Sequence, residues 1–570
     1  MSIRVFKSVY EVDKTVKVCS ISFLKPSSVS LFEQELFLDH LEPSKIAHHD
    51  YLLEGTGSGL LHRKICTAGT RAHILDSITM WAKDNSEESP DIYWLFGSAG
   101  SGKSTIAYTI ARRFEFAGDS NDTIILGGNF FCSRQFEETR LAKYIIRTIA
   151  YHLAFTCKPF ADALHQTGNL ITKDHSINTQ IENLLVKPWP WKESDPSMPP
   201  QNYLIVIDAL DEIDGNGGSD FLRNLLNVIN KHRLPGLKFF VTSRLDPGLV
   251  ADVEKFRRKH RYRLQDVKEE EVRGDITTYI NANLPNPLDL SQVEALVVLS
   301  AGLFIYATTV VKYLETCGRS EQQDFLAELL PTANSSTAQP LSDATSFKLL
   351  DTLYLQVLRH AFREFIPKTS KWCKRLQILH TFLCTADGTS TSVIANLLFT
   401  SDYTDVAEKL LSDLHAVLYT EDGRVLAYHK SFSDFIFDRA RSEEFWCNQA
   451  THHQFLTNSC FSIMKVGLQF NIANIPSSFI LDENNSTLAD AVKTNIPSVL
   501  SYSCRSWGYH LSSAASAPDS KGLHDTLSDF LQIRALFWIE AMNLLGLRGR
   551  CNPMLQAAHE LVVKSKVSVF

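Results

Sequence analysis

Apolar positions recur with helical spacing from Arg71 onward, where Ile74, Ile78 and Trp81 fall at i, i+4 and i+7. A polar stretch over 84–91 follows, and the apolar run 92–96 then leads straight into a glycine-rich loop. Residues 103–117 return to helical spacing through Ile106, Ile110 and Phe114. The stretch 124–132 reads as a strand, and 139–155 as a helix with Leu141, Ile145, Ile149 and Leu153 in register. Short continuous apolar runs come next, at 203–207 and 237–241. Strands that are apolar throughout, alternating with amphipathic helices, predict a parallel sheet covered by helices on both faces.

Beyond about residue 246 the pattern is mostly helical. The run 295–311 holds 17 residues without a charge, with Ser300, Gly302, Thr308 and Thr309 inside it. Its length is at the short edge of what crosses a bilayer, so a buried core helix is expected and no membrane span. Residues 187–201 form a proline-rich surface loop beside which Trp189 and Trp191 pack, and 332–346 reads as a linker. The stretch 347–440 is helical and ends in a hairpin, with 416–419, the turn Glu421-Asp422-Gly423, and 424–428. Asp-Gly is a strong hairpin signal, and helices capped by two strands suggest a winged-helix unit. Residues 441–570 read as helical, as in Phe530, Ile533, Phe537 and Leu544, without a repeat. The expected division is a poorly defined segment at 1–65, an α/β core at 66–245, a small helical domain at 246–331, the linker, the winged-helix domain at 347–440, and a C-terminal helical region at 441–570.

Composition narrows the class. A chain of 570 residues, 44% hydrophobic and 21% charged, suits a soluble protein of several cores and excludes collagen-like, mucin-like and wholly disordered chains. The 57 basic against 64 acidic residues give a net charge of −7, so nothing points to nucleic acid as a partner. Eleven scattered cysteines, with no C-x-x-C, argue against a disulfide framework and against a zinc ribbon. With no apolar signal segment at the N-terminus, the expected location is cytoplasmic. His48, His49 and Asp50 suggest a metal site only weakly, because adjacent side chains do not face one ligand.

The loop after the first apolar strand is Gly97-Ser98-Ala99-Gly100-Ser101-Gly102-Lys103-Ser104, with Thr105 next. It satisfies G-x-x-x-x-G-K-[ST] in the required setting, after a strand and at the start of a helix. Backbone N–H groups of such a loop cradle phosphate oxygens at the helix N-terminus. Lys103 is expected to reach the β- and γ-phosphates of ATP, and the Ser104 hydroxyl to bind Mg²⁺. The loop needs an acidic partner at the end of a neighbouring strand, and 204–208 supplies Asp208. Asp211 or Glu212, just beyond it, is placed to orient an attacking water. Arg244 closes the segment 239–244 at a strand's C-terminal end and is expected to point into the ligand crevice and neutralise the γ-phosphate. The expected fold is thus an α/β P-loop NTPase followed by an α-helical lid, a winged-helix unit and a C-terminal helical region.

These segments together resemble the NACHT NTPases of the STAND class, especially the fungal group whose P-loop region is also labelled nephrocystin-like. The resemblance rests on the Gly69-Thr70-Arg71 lead-in, the run 93–105 through the loop, Phe130-Phe131-Cys132-Ser133-Arg134, the Asp208-Ala209-Leu210-Asp211-Glu212 motif and Thr242-Ser243-Arg244. The stretch 301–307 sits where related plant and animal switches carry a Gly-Leu-Pro motif that packs on adenine; Phe304 here replaces the proline. The stretch 428–435 is similar to the winged-helix histidine motif, which implies that His429 contacts the β-phosphate of ADP in a closed state. The resemblance further implies an intracellular ATP/ADP switch, conditional homo-oligomerisation, protein partners, and signalling of the innate-immunity or self/non-self type. Effector and repeat segments of such proteins are not recognised here, so a truncated or minimal member is expected, or one whose partners supply those roles.

Two other classes remain open on the sequence. One is a conventional P-loop ATPase or kinase, against which stand the lack of an LSGGQ-type signature and of a separate substrate domain. In addition, Arg233 breaks the guanine-specific N-K-x-D pattern at 230–233. The other is a scaffold holding a structural nucleotide, which the complete set Lys103, Ser104, Asp208 and Glu212 mildly disfavours. ATP hydrolysis, if it occurs, is expected to be slow.

Overall fold

The computed structural model describes residues 37–50, 63–86, 88–115, 124–167, 176–189, 202–232, 234–244, 259–284, 286–330, 343–398, 403–476, 485–514, 521–556 and 558–559. Trp191 with most of the proline-rich loop, and most of the 332–346 linker, lie outside them. Helix α1 (Ala72–Lys83) precedes strand β1 (Ile92–Phe96), and α2 (Lys103–Glu115) follows the glycine-rich loop. Then come β2 (Ile124–Phe131), α3 (Lys143–Thr156), β3 (Asn202–Asp208), α4 (Gly217–Lys231), β4 (Leu237–Ser243) and β5 (Lys259–Arg263). The sheet order is β2-β3-β4-β1-β5, and every neighbouring pair is parallel.

Strand periodicity explains the layers. Ile92, Trp94 and Phe96 face one side with Ile205, Ile207, Phe239 and Val241, where Ile145, Ile149 and Leu153 of α3 and Leu225 of α4 pack. Tyr93 and Leu95 face the other with Leu204, Val206 and Phe240, against α1 and α2. Both faces are covered, which is why the central strands are apolar at successive positions.

β5 lies past the expected boundary at 245. Its sequence, Lys-His-Arg-Tyr-Arg, is polar and half-buried to exposed, as suits a charged sheet edge, so it leaves no apolar run to read. The segment 37–50 also belongs to the core: Leu38, Leu41 and Ala47 are buried in it, and the Ala47 carbonyl accepts from the Phe131 amide at 2.8 Å. His49 is buried, with its Nδ1 hydrogen-bonded to Asn129 at 2.9 Å and its Nε2 3.3 Å from Glu115 outside hydrogen-bonding geometry, which is a core role.

The lid includes α5 (Glu269–Asn283), α6 (Leu290–Ser300) and α7 (Phe304–Glu315). The charge-free run is therefore two helices, correcting the single helix expected. Ala301 (φ 46°) and Gly302 (φ 78°) adopt left-handed backbone and end α6. Among the described residues no helix is long and apolar enough to cross a membrane.

The winged-helix unit follows as α8 (Asp343–Phe362), α9 (Ser370–Cys384), α10 (Thr391–Leu398), α11 (Thr404–Asp413), the antiparallel pair β6 (Leu418–Glu421) and β7 (Arg424–Ala427), and α12 (Lys430–Ile436). One core runs from Val272 in the lid to Phe435 and Leu456, so lid and winged helix pack as a continuous body. Helices α13 (Gln449–Gly467), α14 (Ser498–Ser513), α15 (Lys521–Ile533) and α16 (Ala535–Leu544) build a further core around Trp507 and Trp538.

Candidate nucleotide-binding site

The glycine-rich loop turns where the sequence requires it: Gly100 (φ 76°) and Gly102 (φ 93°) sit in the left-handed region. Lys103 is the first residue of α2, and its buried Nζ donates to the carbonyls of Gly97 and Ser98, each at 2.9 Å. Burial lowers the ammonium to about 8, against the pull of Asp211, Asp208 and Glu212.

Asp208 ends β3 and is buried. It accepts hydrogen bonds from the hydroxyls of Thr242 and Ser104. Burial raises its pKa, while these two bonds, Arg63 and Lys103 oppose the rise. The expectation that β3 neighbours the loop's strand is corrected: β4 lies between them. Thr242 of β4 bridges the gap, accepting from the Ala209 amide at 2.9 Å while donating to Asp208. Ser104 and Asp208 thus converge as hard oxygen donors at a helix N-terminus, a set that fits Mg²⁺ and a phosphate chain.

The next two acids separate in character. Burial raises the Asp211 carboxyl, but Arg244, Lys430 and Lys103 outweigh it and hold the group below the ordinary range. Glu212 is pushed up to about 7, by burial first and by the neighbouring Asp211 charge second, and its Oε2 accepts from the Arg134 amide at 3.2 Å. The guanidinium of Arg244, expected to point into the crevice, is paired with Asp211 and with the cavity-lining Asp434. Its Nε lies 3.1 Å from Asp211 Oδ2 and its terminal nitrogen 3.0 Å from Asp434 Oδ2 on α12. Lys430 Nζ is 3.6 Å from the same Asp211 oxygen.

His429 is the N-cap of α12. Its Nδ1 accepts from the Ser431 amide at 3.1 Å and lies 2.6 Å from the Ser431 hydroxyl, which in turn meets Tyr354 at 2.7 Å. An accepting Nδ1 places the proton of the neutral ring on Nε2. Burial, then Arg244 and Lys103, lower its pKa to about 3, so the ring is neutral at ordinary pH.

One cavity of about 1440 Å³ collects these groups. Gly100, Gly102, Lys103, Ser104, Thr105, Asp208 and Glu212 form its floor, and Phe304 and Ile305 of α7 and His429, Lys430 and Asp434 of the winged helix face them. The Ile305 amide donates to the Gly100 carbonyl at 3.0 Å, docking α7 on the loop. A Cβ at Gly100 would meet Ile305 Cγ2 at 2.1 Å.

The sequence reading assigned no role to several cavity residues. Arg71 donates to the Ser101 carbonyl at 2.9 Å and stacks its guanidinium 4.6 Å from the Phe304 ring. Arg63 lies 4.5 Å above the Phe131 ring and beside Asp208. Arg134, Lys312 and Lys430 add further positive charge to the wall. Arg71 and Arg134 lie in quoted segments, whereas Arg63 and Lys312 carry no motif signal.

Sheet order, loop and buried carboxylate together define a P-loop NTPase domain. The profile of the family described as "Nephrocystin 3, N-terminal" matches residues 69–244, from the lead-in glycine to Arg244. No curated protein matches the chain in sequence. Among solved structures, the Walker-type ATPase PABY2304 of Pyrococcus abyssi is similar at 14% identity and a TM-score of 0.30, over 65% of this chain and 98% of that one. The Orc1 protein of Aeropyrum pernix, solved in complex with DNA, is similar at 14% identity and a TM-score of 0.29, over 65% of this chain and 90% of that one. A RuvB mutant of Thermotoga maritima gives 13% identity and a TM-score of 0.23, over 64% of this chain and 92% of that one.

Proposed function

We propose that the protein is an ATP/ADP-controlled switch of the NACHT/STAND type, with the arrangement described here as its closed form. One observation carries the reading: the winged helix presents His429 and Lys430 to the same cavity that holds Lys103 and Ser104. In this reading Lys103 and the loop amides bind the phosphates, and Ser104 with Asp208 holds Mg²⁺ and its water shell. The His429 Nε2–H donates to the terminal phosphate oxygen of ADP. Glu212, poised near neutrality, orients the water for slow hydrolysis. Phe304, Ile305 and Arg71 form the wall for the base. In this reading ATP, with its terminal phosphate one group further out, no longer matches the contacts that His429 and Lys430 offer ADP, so it favours release of the winged helix. The opened form exposes surface for self-association and protein partners.

The test is ADP release. Losing the His429 bond costs roughly 1.5–3 kcal/mol, which is about tenfold to hundredfold. His429→Ala is expected to release a labelled ADP that much faster in stopped flow and to self-associate more readily. A lower melting temperature with unchanged release would reduce His429 to its capping role and remove the basis of the reading.

A further inference from the structure

Outside the lining of the nucleotide cavity, α9 meets the start of α13 at a second concentration of chemistry. The potential ligand atoms of His380, Cys447 and His452 form a buried group, all within 4.8 Å of one another. His380 and Cys384 are one turn apart on α9, and Cys384 is buried in the same core cluster as Cys447. Neither cysteine is in a disulfide. Cys447 itself is fixed by its amide, which donates to the Ile436 carbonyl at 3.0 Å, and Asn448 caps α13 directly after it.

The hydrogen bonds set both imidazoles in one tautomer. His380 Nε2 lies 3.0 Å from the Phe445 carbonyl, which can only accept, so this nitrogen carries the proton. His452 Nε2 lies 2.9 Å from Thr381 Oγ1, whose own proton goes to the Gln377 carbonyl at 2.8 Å; this Nε2 is therefore also a donor. Each ring keeps a lone pair on Nδ1. A ring N–H held by a backbone or hydroxyl oxygen, with the other nitrogen unprotonated, is the outer-sphere arrangement of metal-ligating histidines.

We propose that His380, Cys384, Cys447 and His452 bind one zinc ion that staples the winged-helix unit to the C-terminal helical region. Two thiolates and two imidazoles are a complete tetrahedral zinc set. Bonds of about 2.0–2.3 Å draw such ligand atoms to roughly 3.3–3.8 Å apart, so the three grouped atoms close by about 1 Å through side-chain rotation, and Cys384 turns in as the fourth ligand. Binding releases the two thiol protons, and no redox step is involved.

The full chain, expressed in zinc-containing medium, is expected to carry one equivalent of zinc by elemental analysis. X-ray absorption at the zinc edge should resolve two sulfur and two nitrogen ligands. After metal stripping, Co²⁺ should give d–d bands with a thiolate charge-transfer band, and Cys447→Ser should roughly halve that band. Circular dichroism checks that the stripped chain and the variant are folded. A folded chain that takes up neither metal would overturn the proposal, as would an all-nitrogen/oxygen shell in the wild type, which needs no variant. So would a charge-transfer band that Cys447→Ser leaves undiminished.

Discussion

Glu212 shows what a residue's surroundings add to its sequence position. The motif offered Asp211 and Glu212 as equals, and only the fold separates them. Asp211 is tied up by Arg244 and Lys430, whereas Glu212 borders the cavity with a carboxyl raised to about 7. Hydrolysis is accordingly expected to fall as pH drops through about 7, and Glu212→Gln to lower it by about 10²–10⁴ while leaving binding intact. Stability gives an independent reading. A carboxyl whose folded pKa lies above its unfolded value binds more protons when folded, so its contribution declines as pH rises from about 4.5 to about 7. The melting temperature of the wild type should therefore lose ground to Glu212→Gln across that window; parallel curves would refute the raised value. The loop, Asp208 and His429 were legible because each sits in a contiguous motif. Lys430 and Asp434 lay in one too, but their partners Asp211 and Arg244 come from a distant part of the chain.

At the scale of elements, legibility followed hydrophobic contrast. β1, β3 and β4 were readable as apolar runs because helices cover both faces, while the polar edge strand β5 had no such run to offer. The break between α6 and α7 was hidden because Ala301, a strong helix former, adopts the left-handed backbone ahead of Gly302. The zinc ligands were scattered in sequence for a related reason: a four-residue step on α9 and a five-residue step into α13 produce no C-x-x-C. The C-terminal helices make a different forecast. Trp507 is fully buried between Phe461, Phe530 and Trp538, with ring centroids 5.4, 5.4 and 5.6 Å away. Trp507→Ala is expected to cost about 3–5 kcal/mol in denaturant unfolding monitored by circular dichroism. A cost below about 1 kcal/mol would mean these helices do not depend on a shared core.

On the scale of the whole molecule, the winged helix is held against the sheet partly by the Arg244–Asp434 pair. Both side chains are about one-third exposed, at 32% and 31%, so solvent screens the pair and its worth is about 0.2–1 kcal/mol. Asp434→Asn is expected to speed ADP release by up to about fivefold, with less effect in high salt. A rate unchanged at low ionic strength would show that the seam is held by other contacts. The contact between Gly100 and Ile305 reaches further than either residue's own role. A side chain at 100 would occupy the place of Ile305, and a left-handed backbone already disfavours one. In related chains that keep this docking, positions 100 and 305 should covary, with a bulky residue at 305 only where 100 is glycine. The history of the phosphate loop and that of the lid helix are then written as one record.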